Sequence, residues 1–267
     1  MSLQIKGVLN RGGSFLRDLL FPPRCVGCGE LMAPFARERA VFCPLCRTAW
    51  ESAVADAELS AEAESARGRV FLTFYRTGHY DGVPERLIYH VKHHGEARVF
   101  DFLSARLAPR VLKTVDRIPT RDTVSEESPL LFTYPPRRRA AVSKDGFDQA
   151  ERLARVLAKT CGGDYATLLC RTHHLSREQK RLDAEERTAN AAASYTLEKN
   201  AVAGAEGRIV VICDDLCTTG ATLERCASLL VEAGAAAVIL CSIAVTRKES
   251  GQAPADGGES SGGEGLS

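Results

Sequence analysis

Short segments that are apolar throughout alternate with segments of helical periodicity along most of this chain. The apolar segments predict strands at residues 70–75, 130–134, 166–170, 208–213 and 237–245. Strands that are apolar along their whole length are usually buried on both faces of a sheet. The alternation therefore predicts an α/β fold in which a mostly parallel sheet is flanked by helices.

Two of the intervening segments carry clear helix signals. In the first, the spacing i, i+3, i+4, i+7 and i+8 predicts one buried helix face, made of Ala150, Leu153, Ala154, Leu157 and Ala158. Asp148 stands where an N-cap is expected, and Gly162-Gly163 marks the end. In the second, the predicted buried face is made of Leu223, Cys226, Ala227 and Leu230, and Gly234 closes the helix.

Changes in composition divide the chain into five parts. Residues 1–20 are predicted to be an N-terminal helical segment, and residues 21–50 contain four clustered cysteines. The acidic, Ala-rich residues 51–69 predict an exposed helix or a linker. The α/β domain is expected at 70–248. Residues 249–267 are rich in Gly, Ser and acidic side chains with nothing to bury, so they predict a disordered tail.

Composition and charge narrow the class of protein. With 45% hydrophobic and 26% charged residues in a chain of 267, the composition is that of an ordinary globular protein. The net charge of +1 becomes +5 when the four acidic residues of 249–267 are set aside, so the predicted folded part is mildly basic. The longest apolar run, 235–241, is far shorter than the roughly 20 residues of a membrane span. No secretion signal is evident, so we expect a cytoplasmic protein with reduced thiols and no membrane insertion.

Four cysteines near the N-terminus form two CxxC pairs. Cys25 and Cys28 are the first pair, and Cys43 and Cys46 follow after 14 intervening residues. Two such turns supply the four thiolates of the tetrahedral site that Zn²⁺ prefers. All four ligands are protein side chains, which leaves no coordination position for a catalytic water. The pattern predicts a structural zinc module, and the alternative interpretation is a redox dithiol or disulfide pair.

The remaining six cysteines occur singly within apolar patterns. Five of them are predicted to be small core residues: Cys161, Cys170, Cys213, Cys226 and Cys241. The sixth, Cys217, lies within a second cluster of candidate functional residues.

This second cluster follows the predicted strand at 208–213. It consists of Asp214, Asp215, Thr218, Thr219, Gly220, Ala221 and Thr222, followed directly by a predicted helix. Backbone N–H groups at a helix start bind anions, hydroxyl groups add donors, and glycine lets the backbone approach a phosphate. Adjacent carboxylates accept hydrogen bonds from two vicinal sugar hydroxyls, directly or through Mg²⁺. The cluster predicts a ribose 5-phosphate site. The alternative, a P-loop Mg²⁺ site, lacks the required GxxxxGK[ST] pattern.

These residues closely resemble the signature with which type I phosphoribosyltransferases bind 5-phosphoribosyl 1-pyrophosphate (PRPP). Cys217 departs from the signature, which normally has Ile or Val there, and is expected to be a buried substitute. A four-Cys module before such a domain resembles the competence protein F (ComF) family and its relative GntX. The resemblance implies a type I phosphoribosyltransferase-like fold for 70–248, with the zinc module at 21–50.

The ComF resemblance also implies further site residues. Lys92 stands in the place of a family lysine, and a pyrophosphate loop is implied at Arg137, Arg138, Arg139 and Lys144. Asp145 and Asp148 replace the Arg and Asn of the family pattern Arg-Gly-Phe-Asn-Gln, so an anion contact expected from that arginine is missing.

A mobile hood over the active site is implied further along the chain. Its residues would be Arg171, Gln179, Lys180, Arg187 and Asn190. On spacing alone, the alternative interpretation of this mixed-charge stretch is a solvated helix face. His93 and His94 are interpreted as surface residues rather than metal ligands.

The leading functional hypothesis is a phosphoribosyltransferase-like protein that binds PRPP or ribose phosphate with Mg²⁺. The ComF resemblance implies a link to natural competence or nucleotide metabolism, with single-stranded DNA and DNA-uptake proteins as partners. Two alternatives remain open. One is a non-catalytic protein associated with single-stranded DNA, and the other is a regulatory protein that senses PRPP.

Overall fold

The structure, a computed structural model, describes residues 22–33, 40–55, 70–74, 82–118, 130–172, 194–217 and 220–245. Its helices, in chain order, are α1 (Pro44–Ala55), α2 (Val83–His93), α3 (Ala97–Val115), α4 (Arg139–Asp145), α5 (Gln149–Cys161), α6 (Ala201–Ala205) and α7 (Ala221–Glu232). Its strands are β1 (Val70–Phe74), β2 (Leu130–Thr133), β3 (Asp164–Tyr165), β4 (Leu169–Arg171), β5 (Tyr195–Leu197), β6 (Ile209–Cys217) and β7 (Ala237–Val245).

Five strands form one parallel sheet in the order β1-β7-β6-β2-β3. The central strands β6 and β7 are each nine residues long and stay in register from Ile209 opposite Ala237 to Cys217 opposite Val245. Because all strands run the same way, their carboxyl ends meet at one edge, where α/β proteins bind ligands. The predicted parallel α/β sheet is confirmed.

Helices cover both faces of the sheet. Successive β6 side chains alternate between the faces, so Val211 joins a core formed with α3 and α5, whereas Val210 joins a core formed with α6 and α7. All β6 residues from Ile209 to Cys213 are buried, which explains why the strand reads as continuously apolar. Among the described helices, none combines the length and the hydrophobicity needed to cross a bilayer.

The two helices with clear sequence signals form as predicted. In α5 the whole predicted apolar face is buried, the Asp148 carboxylate accepts hydrogen bonds from the backbone N–H groups of Ala150 and Glu151, and Gly162 ends the helix in the left-handed conformation. In α7 the predicted face, Leu223, Cys226, Ala227 and Leu230, is likewise buried.

The strand predicted at 166–170 forms only at its end, where Leu169 and Cys170 belong to β4. β3 adds two residues to the edge of the parallel sheet, and the chain then leaves it, so that β4 pairs antiparallel with β5. A short apolar run does not specify its partner strand, and β5, which supplies that partner, carries no periodic signal of its own. β6 also extends four residues beyond its predicted end at Cys213, through the acid pair to Cys217.

The predicted core cysteines differ in burial. Cys213, Cys226 and Cys241 are buried, as is Cys217, whereas Cys161 and Cys170 are half-buried. Cys217 is therefore buried, as expected.

Aromatic packing attaches the four-Cys segment to the α/β domain. Trp50 of α1 is fully buried, with its ring 5.1 Å from that of Phe102 on α3 and 6.2 Å from that of Phe42. The Arg106 guanidinium lies 4.4 Å from the centre of the Trp50 ring and donates a hydrogen bond to Glu51. The proposed boundary between 50 and 51 falls within α1, while residues 1–20 and 249–267 and most of 51–69 lie outside the described part.

We predict that Trp50→Ala lowers the free energy of unfolding by about 3–5 kcal/mol, because it leaves a large cavity between the two parts of the chain. Trp50→Phe should cost less, because the buried indole N–H has no hydrogen-bond partner among the described residues. Urea denaturation followed by circular dichroism measures both. Leu45→Ala on the same helix is the control, since Leu45 is 83% exposed and should change stability by less than about 0.5 kcal/mol. Equal losses for Trp50→Ala and Leu45→Ala would contradict this view of the attachment.

Candidate active site and four-cysteine cluster

The acid pair lies at the carboxyl end of β6, in the middle of the parallel sheet. Asp215 is buried, and its backbone N–H donates to the Asp214 carboxylate (2.8 Å). Burial and the adjacent charge of Asp215 raise the pKa of Asp214 well above its usual value. A cation or hydroxyl donors would relieve the repulsion between two carboxylates crowded in this way.

The start of α7 lies directly beyond the acid pair. Gly220 precedes the helix with φ of 78°, in the left-handed region that favours glycine, and Thr222 in the first turn lines the pocket below. A helix start of this kind directs backbone N–H groups and a positive dipole at a bound anion. Thr218 and Thr219 lie outside the described residues.

A chain of hydrogen bonds forms the opposite wall. The Arg137 guanidinium donates to the Gln149 side-chain oxygen (2.6 Å) and to the Asp145 carboxylate (2.9 Å). The Gln149 amide nitrogen in turn donates to the Asp215 carboxylate (3.0 Å). The Asp148 carboxylate, which caps α5, also accepts from the Arg137 backbone N–H (3.0 Å). Burial raises the pKa of Asp148, and these backbone donors offset part of the rise.

Two further elements complete the enclosure. The end of α2 brings Lys92 and His93 to the pocket, and β5 contributes Tyr195. Arg171 donates a hydrogen bond to the Tyr195 hydroxyl (3.0 Å) with its guanidinium over the ring. Burial raises the pKa of Tyr195 to about 12, so the phenol stays protonated near neutral pH.

Together these side chains enclose a pocket of about 390 Å³, a volume typical of small-molecule sites. Its lining residues are Lys92, His93, Pro135, Arg137, Asp145, Gln149, Tyr195, Asp214, Asp215, Leu216 and Thr222. Two cationic side chains, Lys92 and Arg137, and three carboxylates line the pocket. The mixture suits a ligand that carries hydroxyl groups and phosphates together with a bound cation.

The candidate residues named from the sequence separate into three groups. Asp214, Asp215, Thr222, Arg137 and Lys92 line the pocket. Arg138, Arg139 and Lys144 are exposed and do not line it, and Arg171 reaches it only through Tyr195. The other hood residues, Gln179, Lys180, Arg187 and Asn190, lie outside the described residues.

Six lining residues are not among the candidate site residues named from the sequence: His93, Pro135, Asp145, Gln149, Tyr195 and Leu216. Gln149 lies at the last position of the family pattern Arg-Gly-Phe-Asn-Gln, and its place directly after the predicted N-cap Asp148 marks it as the first residue of a helix. His93 was interpreted as a surface residue; it is exposed, yet it also lines the pocket. Tyr195 had no local signal, because its place depends on the pairing of β5 with β4.

The four-Cys cluster assembles at the N-terminal end of the described chain. The Sγ atoms of Cys25, Cys28, Cys43 and Cys46 all lie within 4.8 Å of one another. Sulfur atoms about 3.8 Å apart would surround a tetrahedral Zn²⁺ with bonds of about 2.3 Å, so the cluster is close to the required size. Gly27 fits closely between the two turns, because a Cβ added there would lie 2.7 Å from the Cys46 Sγ.

Backbone donors favour the thiolate form of one of these cysteines. Burial alone would raise the pKa of Cys25, but the backbone N–H groups of Cys43, Cys28 and Gly27 more than offset it and lower the pKa to about 7. The Cys43 N–H donates to the Cys25 Sγ at 3.2 Å. The predicted four-Cys cluster capable of holding a metal is therefore present.

Comparison with solved structures gives distant neighbours. One is the allosteric regulatory enzyme of purine biosynthesis, with 16% identity and a TM-score of 0.34. Another is glutamine PRPP amidotransferase from B. subtilis, with 18% identity and a TM-score of 0.35. Each match covers 58% of this chain and 30% of the neighbour. Hypoxanthine phosphoribosyltransferase from Trypanosoma cruzi is 13% identical over 58% of this chain and 71% of its own, with a TM-score of 0.36. The chain thus spans about a third of the first two neighbours.

Comparison with protein families and with curated proteins gives two further findings. No curated protein matched the chain. Residues 140–263, a little under half of the chain, match the family described as "Phosphoribosyl transferase domain". That match includes Asp145, Gln149, the acid pair and the start of α7. The chain therefore contains a phosphoribosyltransferase-type domain, with its candidate site at the carboxyl edge of the sheet.

Proposed function

We propose that the pocket binds PRPP, or a related ribose phosphate, together with Mg²⁺. One observation carries the proposal. At the end of β6 a carboxylate pair lies directly beside a helix start, and Lys92 and Arg137 line the same pocket of about 390 Å³. A sugar diol beside a phosphate requires acceptors and anion-binding donors side by side, and this edge of the sheet supplies both.

Each wall of the pocket has a distinct part in binding. Asp214 and Asp215 accept hydrogen bonds from the ribose hydroxyls, and the start of α7 receives the 5-phosphate. Lys92 and Arg137 are the cations available to the diphosphate. Carboxylate oxygens are ligands that suit Mg²⁺, which when bound would neutralise the diphosphate. Tyr195 and Leu216 add apolar surface that limits the access of water.

Phosphoribosyl transfer at this site breaks the bond between C1 of the ribose and the pyrophosphate oxygen and forms a bond from C1 to a nucleophilic acceptor. Positive charge develops at C1, and negative charge develops on the departing pyrophosphate. The residues contribute mainly by orientation and electrostatics. The acid pair holds the ribose ring in place, and the positive charges of Arg137 and Lys92 stabilise the departing pyrophosphate.

The test is titration of PRPP with Mg²⁺ into the full chain by calorimetry. We expect Asp214→Asn/Asp215→Asn to bind at least about tenfold more weakly, a loss of about 1.4 kcal/mol, because amides cannot replace charged acceptors. Asp116→Asn is the matched control, since Asp116 is an exposed acid at the end of α3 that does not line the pocket. Wild type that gives no binding heat at millimolar PRPP would contradict the proposal.

Product analysis then separates an enzyme from a sensor. Pyrophosphate release in the presence of candidate acceptors supports a transferase. Tight binding of PRPP without release in any of them supports the regulatory alternative.

We also infer that the four-Cys cluster holds a structural Zn²⁺. The inference rests on the convergence of four sulfur atoms within 4.8 Å and on a donor set of four thiolates, which favours zinc and leaves no site for a reacting water.

We expect purified protein to contain about one zinc per chain by elemental analysis, and Cys43→Ser to lose most of it. Gly27→Ala should also reduce zinc content, because its methyl group would collide with the Cys46 sulfur. Cys170→Ser is the control, since Cys170 is half-buried but lies outside the cluster. Full zinc content in Cys43→Ser would overturn the assignment.

The relationship to one particular family, and the biological role that it implies, stay predictions. Membership of the ComF family, the link to competence and the partners in DNA uptake rest on the resemblance described above. The phosphoribosyltransferase-type domain itself does not depend on them.

A further inference from the structure

Asp145 lies in the pocket where a diphosphate would need positive charge. Its carboxylate is 2.9 Å from Nη2 of Arg137, and it is one of three carboxylates that face only two cationic side chains in the lining. An acid in this position cancels the charge of the arginine best placed to receive a leaving pyrophosphate.

The ion pair is well shielded from solvent. The side chains of Arg137 and Asp145 are 27% and 16% exposed, so water screens their attraction less than it would on an open surface. The other terminal nitrogen of Arg137 is committed to Gln149, whose own amide is buried and bonded to Asp215. A ligand phosphate that uses Arg137 must therefore compete with an acid that already faces it.

The helix dipole gives no reason for an acid at this position. Asp145 is the last residue of α4, where the helix dipole favours a cation. The nearest basic residue in the last turn, Lys144, is exposed and lies outside the pocket lining. Asp145 is thus placed against the helix dipole and towards Arg137, which is the arrangement expected of a residue that acts on the pocket.

We propose that Asp145 is a specificity-determining residue that holds Arg137 in an internal ion pair. The ion pair weakens binding of the diphosphate group and makes that binding dependent on Mg²⁺. This inference rests on the proposed function. The free diphosphate meets the charge of Asp145 as well as that of the acid pair, whereas its Mg²⁺ complex carries less negative charge. Asp145 therefore selects for the metal complex and favours release of the pyrophosphate product.

The test compares wild type with Asp145→Asn by calorimetric titration of PRPP at low and high Mg²⁺. The amide keeps the shape and an oxygen acceptor for Arg137 but removes the charge. We expect Asp145→Asn to bind PRPP about tenfold more tightly at low Mg²⁺, or about 1.4 kcal/mol, with a smaller gain when Mg²⁺ is saturating. Ribose 5-phosphate, which lacks the diphosphate, should bind to wild type and to Asp145→Asn with affinities within about twofold of each other. The affinity of PRPP for the Asp116→Asn control should likewise be within about twofold of its affinity for wild type.

A double-mutant cycle isolates the action through Arg137. In an Arg137→Gln background, the gain from Asp145→Asn should shrink to less than about threefold, because there is no guanidinium left to release. A role for Asp145 in folding alone would show as an altered melting temperature with no preference between PRPP and ribose 5-phosphate.

The outcomes separate this inference from the proposed function. Equal PRPP affinities in wild type and Asp145→Asn, or equal gains for PRPP and ribose 5-phosphate, overturn the role of Asp145 and leave the PRPP site intact. Failure of both proteins to bind PRPP overturns the site and the role together. Binding by Asp145→Asn alone would contradict PRPP binding by the native chain, and so overturn the proposed function, even though it would show that Asp145 opposes the diphosphate.

Discussion

The parallel pairing of β6 with β7 is the interaction on which the rest of the molecule depends. Nine consecutive residues of each strand stay in register, and alternate β6 side chains enter two different helical layers. A shift of β6 by one residue would exchange its two faces, so that every buried side chain would point into the wrong helical layer. The register is therefore fixed by burial, and it places Asp214 and Asp215 at the sheet edge.

The other wall of the pocket depends on a single buried amide. Gln149 is the first residue of α5, and its two polar atoms join Arg137 on one side to Asp215 on the other. The N-cap at Asp148 fixes where α5 begins and also receives the Arg137 backbone N–H. One carboxylate therefore starts the helix and holds the loop beside it, so the position of Gln149 and that of Arg137 are set together. The positions of these two residues follow from helix capping as much as from the ligand they would bind.

Local chemistry made half of this site predictable from the sequence. The acid pair, the helix start after Gly220 and the α5 cap all follow from residues within a few positions of one another, and the structure forms each of them. Tyr195 and His93 were not predicted, because their places depend on strand and helix packing between distant parts of the chain. The pairing of β4 with β5, outside the parallel sheet, has the same origin, since apolar character specifies burial but not the partner strand.

Helix α2 connects the four-Cys cluster with the pocket. Near its start, Arg86 donates to the backbone carbonyl of Gly27 in the first CxxC turn, and Val83 packs within 3.3 Å of the position a Gly27 Cβ would take. Near its end, Lys92 and His93 line the pocket. Six residues of helix separate Arg86 from Lys92, a rise of about 9 Å, which a short helix spans without bending. The cluster thus holds the helix that carries two pocket residues, so the geometry at the sulfur atoms and the geometry at the site are joined through one rigid element.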